Sequence, residues 1–254
     1  MGAETLRYEV TEHVATITIA RSERRNAMDL ATLDALHAAW SRAEEDADVR
    51  AVILTGQGEV AFSAGADLKD FAPESERRRV GPTHPAFFPE LVLRTPLIAA
   101  VNGHCLAGGL ELLLASDIRI AARHATFGIP EPQLGLFPAG GSAVRAPRRL
   151  GWAAAMELLL TGEPIDAATA LSIGLVNRVV DLDELMPTAR AIAGRIAANS
   201  PVAVRTIKEC ALASDGVPLE EALARQAEFA ARVHAGPDAA EGMRAFREKR
   251  SPRF

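Results

Sequence analysis

The chain has 254 residues, 48% of them hydrophobic and 24% charged, with a formal net charge of −5. That length suits one large domain, or one domain with a smaller appendage, and the composition is that of a globular protein able to bury a core. The acidic balance argues against nucleic-acid binding, which needs a basic face.

Two distant cysteines, Cys105 and Cys210, do not make a disulfide framework. The first twenty residues lack a charged-then-apolar signal pattern and carry Glu4, Glu9 and Glu12. No apolar run approaches the ~18 residues of a membrane span. The expectation is a cytoplasmic protein with reduced thiols and no membrane insertion.

In chain order, "LRYEV" and "VATITIA" read as two strands of a hairpin around His13. Asp29 is placed to cap a helix starting at Leu30, with Leu33, Leu36 and Trp40 at helical spacing. "VRAVILTG" reads as a short buried strand. Gly56, Gly58 and Ala61 then match G-x-G-x-x-A, but no helical period follows, so a glycine turn is preferred to a dinucleotide site. Asp70 to Glu90 carries charge, four prolines and three phenylalanines. It reads either as a mobile loop near a site or as a surface insertion. "TPLIAAVNG", "DIRIAA" and "GLVNRVV" are further strands, so the fold class is α/β. From about Met186 the pattern is helical, with breaks at 199–204, 215–220 and 235–240. The chain therefore divides into a mixed core, 1–198, and a helical part, 199–254. No internal repeat is evident. The six histidines lack zinc-type spacing, and "GGSAV" at 140–144 lacks the spacing of a hydrolase elbow.

Two stretches place small residues where backbone must approach something closely: Ala64-Gly65-Ala66 and Ala107-Gly108-Gly109. Two converging peptide N–H groups make an oxyanion hole, and the second stretch opens a helix, whose N-terminus adds positive potential. Gly109→Ala, which keeps its N–H, reads as a milder change than Gly108→Pro, which deletes a donor. Glu111 stands at the mouth of this apolar helix, where a charge is costly unless used. Glu131 lies between Pro130 and Pro132, which fix its backbone; an exposed loop acid is the alternative.

"AFSAGADLKD", "NGHCLAGGLEL", "FGIPE", "PAGG" and "GMRAFREKRSPRF", in this order, resemble the crotonase, or enoyl-CoA hydratase/isomerase, superfamily along nearly the whole chain. The resemblance implies a crotonase-type spiral of repeated β-β-α turns with a C-terminal α-helical trimerisation region, assembled as a homotrimer or homohexamer. It implies an acyl-CoA thioester substrate and no metal or redox cofactor, coenzyme A entering only as part of the substrate. The N–H groups of Ala66 and Gly108 would hold the thioester oxygen. Glu111 would act as base toward water and Glu131 would give a proton to C2. A pair of nearby carboxyls can divide those roles because like charges resist double ionisation.

Coenzyme A contacts are implied at Arg25, Ala27, Ala64, Asp67, Leu68 and Lys69, and at Phe246 and Lys249, the last reaching from a neighbouring subunit. Phe71, Phe87, Phe88, Phe137 and Ala139 are candidates for an apolar acyl pocket. Ala107 and Ala139 stand where many hydratases have glycine, and Leu110 and Pro132 are also atypical, which leaves the acyl group open. The alternatives are an isomerase that moves a double bond with Glu131 alone, or a non-catalytic CoA-binding subunit.

Overall fold

The computed structural model describes residues 5–67 and 84–254. Strands β1 (Leu6–Thr11) and β2 (Val14–Ile19) pair antiparallel around Glu12 and His13, both with positive φ. Helix α1 (Leu30–Glu45) starts where expected: the Asp29 carboxylate accepts from the Thr32 N–H at 2.7 Å and from its hydroxyl at 2.6 Å.

The chain then moves back and forth between two sheets. Strands β3 (Ala51–Gly56), β5 (Leu97–Val101) and β7 (Ile118–Ala122) join the hairpin in a large sheet. Strands β4 (Ala61–Ser63), β6 (His104–Leu106) and β8 (Thr126–Gly128) form a small one. Helix α2 (Gly108–Ala115) follows β6 and leads back to β7. After β8 come α3 (Ser142–Leu150), α4 (Trp152–Thr161), β9 (Ile165–Asp166), α5 (Ala167–Ser172) and β10 (Arg178–Val180). The sheet orders are β1-β2-β3-β5-β7-β10 and β4-β6-β8-β9. From β2 onward every pairing in the large sheet is parallel. Each pass through the two sheets is one turn of the expected β-β-α coil.

Alternation along the large-sheet strands decides which core each residue fills. Val52, Leu54, Leu97, Ala99 and Val101 face a core shared with α1 and α2. Ala51, Ile53, Ile98, Ala100 and Ile120 face the other way, onto Leu185, Ala189 and Ile192 of α6 (Leu182–Ala197). With both faces covered, these strands are continuously apolar. Trp40 of α1 is fully buried and its indole N–H donates to the Ala86 carbonyl at 3.0 Å. Truncating it to alanine would cost about 3–5 kcal/mol. This bond anchors the 3₁₀ turn Pro85–Phe87, so residues 84–90 of the proline-rich stretch pack into the core, while 70–83 lie outside the described residues.

"GLVNRVV" is a strand only at its end. Gly174 takes φ +74° in a turn, and the Asn177 side chain accepts from the Arg119 N–H at 2.7 Å. The three helices between 142 and 172 carry no single repeating apolar stripe and are not legible from periodicity.

Beyond α6 come α7 (Pro201–Ala213), α8 (Leu219–His234) and α9 (Pro237–Glu248), which bury little of themselves. Polar links hold them to the core: Arg50 donates to the carbonyl of Phe254, and Lys208 to Thr95 and Asp117. Among the described residues no helix is long and apolar enough to cross a membrane.

Candidate active site

Three neighbouring parallel strands of the small sheet, β4, β6 and β8, each end in one of the groups singled out above. β4 runs into residues 64–67, which contain Ala66. β6 runs into α2, which carries Gly108 and Glu111. β8 runs into the 3₁₀ turn Glu131–Leu134. Adjacent strands lie about 5 Å apart, so the three strand ends gather within the span of one small ligand.

The first two ends touch. Gly65 has φ +91°, and a Cβ there would lie 2.5 Å from Ala107 Cβ and 2.9 Å from the Gly108 nitrogen. Only glycine lets the 64–67 turn rest against the start of α2. Met28 holds this turn from behind: its N–H donates to the Gly65 carbonyl, and its own carbonyl accepts from Asp67 N–H. The Ala66 N–H is left out of that pairing. Among the described residues no protein acceptor takes it or the Gly108 N–H. Ala107, preceding the helix, stands at φ 51°, ψ −126°. That conformation is costly for a residue with a side chain, on the order of 1–3 kcal/mol, and it accounts for glycine at this place in the resemblance.

Glu111 is 3% exposed in the first turn of α2. Its Oε1 accepts from both the N–H and the hydroxyl of Ser142, each at 3.2 Å, at the N-terminus of α3. A Cβ on Gly140 would collide with the other carboxylate oxygen, so the glycine makes room for the acid. Burial raises the Glu111 pKa, while the Ser142 and Gly140 donors and the nearby Arg145 pull it back. Glu131 has less support: its own backbone N–H lowers its pKa, but its Oε2 is buried without a protein partner among the described residues. Burial first, and the Glu111 charge in addition, push its pKa to about 7. The two acids thus differ: Glu111 is braced by donors, and Glu131 readily keeps its proton up to about 7.

The other expected residues divide. Arg25, Ala27 and Ala64 do come together with Asp67, since Ala64 N–H donates to the Arg25 carbonyl at 3.0 Å. Asp67 pairs with Arg21, which also pairs with Asp29. Leu68, Lys69 and Phe71 lie outside the described residues. Phe87 packs against the site, its ring facing Gly108 and Gly140. Three more of the pocket candidates lie elsewhere, around the loop after Glu131 and behind the site. Phe88 lies under the Arg145 guanidinium, 5.2 Å away. Phe137 is 75% exposed, and Ala139 is exposed too. The loop after Glu131 carries both to the surface. Phe246 and Lys249 are exposed on and just after α9, which packs on α8 rather than on the strand ends. Sequence reasoning missed Ser142 and Arg145. The signal available for Ser142 was the glycine pair directly before a small polar helix start. No cluster of metal-ligating side chains occurs among the described residues.

The model of the enoyl-CoA hydratase/isomerase family matches residues 9–254. A short-chain-enoyl-CoA hydratase of Clostridium acetobutylicum is 41% identical over 240 residues, 93% of this chain and 92% of its own. An (E)-benzylidenesuccinyl-CoA hydratase of Thauera aromatica is 36% identical over 248 residues, 97% of each chain. Among solved structures, an enoyl-CoA hydratase from Bacillus anthracis superposes with a TM-score of 0.92 at 39% identity, covering 99% of both chains.

Proposed function

This chain belongs to the enoyl-CoA hydratase/isomerase family and is an enzyme of the hydro-lyase type, and from that premise we propose how its own residues add water across the 2,3-double bond of a 2-enoyl-CoA. The Ala66 and Gly108 N–H groups receive the thioester oxygen. Ionised Glu111 takes a proton from water as the oxygen attacks C3. The double-bond electrons move toward the thioester, whose oxygen becomes negative and is held by the two donors. Glu131 then gives its proton to C2 as the enolate collapses. Water is consumed, a 3-hydroxyacyl-CoA forms, and the two carboxyls exchange protonation states until solvent resets them.

One observation carries this division of labour: Ser142 donates twice to Glu111, while Glu131 holds a buried oxygen with no partner. The braced acid suits the base and the bare one the acid. An isomerase working through Glu131 alone would have no use for that support.

The test is turnover of crotonyl-CoA followed by mass spectrometry. A gain of one water is expected, and Glu111→Gln and Glu131→Gln should each lower kcat by ~10²–10⁴-fold. Conversion of a 3-enoyl-CoA to its 2-enoyl isomer with no uptake of water would overturn the reading. The finer readings belong with it: a cytoplasmic homotrimer or homohexamer, Lys249 serving a neighbour's site, and no cofactor beyond the coenzyme A of the substrate.

A further inference from the structure

A cation stands where the local structure disfavours one. Arg145 is the fourth residue of α3, one turn from the helix N-terminus, where the dipole opposes positive charge. It is 7% exposed. Its guanidinium spends its donors on three separate elements. NH1 donates to the Gly140 carbonyl at 2.7 Å, and NH2 to the Phe87 carbonyl at 3.1 Å. Nε donates to Glu90 Oε1 at 2.8 Å, and NH2 makes a second, shorter bond to that oxygen. The plane of the group lies over Phe88.

These contacts converge on the site from behind. The Gly140 peptide flanks Glu111, and Phe87 is the ring packed against both Gly108 and Gly140. The glycine pair at 140–141 then has two separate purposes. Gly140 clears the Glu111 carboxylate, and Gly141, at φ +105°, clears the Arg145 guanidinium. A helix cap needs neither.

We infer that Arg145 is a positioning residue of the hydration reaction: its fork fixes the Gly140 peptide and Phe87 around Glu111, and its charge balances the carboxylate that takes the proton from water. This rests on the hydratase reading and deepens it. Among the described residues, the charged and titratable groups facing Glu111 are few. Glu131 faces it from the turn after β8, Arg145 from α3, and Glu90 stands behind Arg145 on the 3₁₀ turn Pro89–Leu91. His84, at the start of the same stretch, is turned to Asp34 of α1. Glu90 keeps one buried oxygen unpartnered among the described residues.

The experiment compares the acid limb of kcat/KM against pH in the full-length enzyme, which reports the base of the free protein. Arg145→Met removes the cation and should raise the limb by about one pH unit, with kcat down ~10-fold and KM little changed. Arg145→Lys keeps the charge without the planar fork, so kcat should fall while the limb stays. Glu90→Gln removes the counter-charge and should move the limb down. A purely structural arginine would not give shifts of opposite sign. If Arg145→Met does not fold, the near-isosteric Glu90→Gln carries the test. A ¹³C NMR titration of the Glu111 carboxyl, assigned by its loss in Glu111→Gln, reads the same shifts without turnover. A protein that hydrates no enoyl-CoA would sink the functional reading alone. An unmoved Glu111 titration in both Arg145→Met and Glu90→Gln would overturn the role of Arg145.

Discussion

Glu131 and Glu111 are the same amino acid a short distance apart, and the donors around each make them different reagents. The consequence extends to stability. Below the ordinary glutamate pKa, Glu131 is protonated in both folded and unfolded chains. Between there and about 7 the unfolded chain ionises while the folded protein keeps its proton. The folded state binds more protons over that window, so its stability falls as pH rises. Glutamine mimics the neutral carboxyl and escapes the loss. Glu131→Gln should therefore melt at a higher temperature than the parent on the alkaline side of about 7, with the gap closing as the pH falls below the usual glutamate value. Calorimetry across that range checks this, and a gap that widens on acidification would contradict the assignment of a raised pKa.

Among the elements, the contact between β4 and α2 is a close one that glycine makes possible. A Cβ on Gly109 would stand 2.5 Å from the Ser63 carbonyl oxygen and 3.0 Å from Ser63 Cβ. The carbonyl is backbone, so the strand and helix would have to separate. At Gly108 the obstacle is the Phe87 ring, at 2.8 and 3.0 Å, which can rotate. Gly109→Ala should thus be the more destabilising, by about 1–3 kcal/mol as overpacking typically costs, read from denaturation midpoints. Gly108→Ala proving worse would show that the ring is pinned harder than the strand. Sequence periodicity could not rank these positions, because the obstacle comes from a residue 46 places away. The same distinction governs what was legible overall. Strands of the large sheet announce themselves, since burial on both faces makes 51–54 and Leu97–Val101 apolar throughout. The small-sheet strands are three residues long or shorter, too brief for alternation to register, and so the repeat of the coil stays hidden. Glu111, Glu131 and the two small-residue turns were readable from residue type beside glycine and proline. Ser142 is marked only by the glycine pair before it, and Arg145, which acts through distant partners, by no local pattern.

For the molecule as a whole, the helical tail presents more apolar surface than one chain can cover. Ile207, Leu219, Leu223, Met243 and Phe246 are each more than half exposed. Apolar side chains left this exposed favour association. A trimer or hexamer is expected by light scattering at micromolar concentration, and a monodisperse monomer would refute it. The three strand ends carry a different implication, for how such a protein can change over generations. Each supplies one part on its own stretch of chain: a peptide donor at 66, a donor with a carboxylate at 108 and 111, and a second carboxylate at 131. The parts that draw charge onto the thioester and the parts that move protons can be inherited separately. A descendant that lost Glu111 and kept the rest would still acidify the hydrogen on C2 and would still have Glu131 to trade it with solvent. One codon would turn an enzyme that adds water into one that only exchanges or relocates a proton, on an unaltered coil.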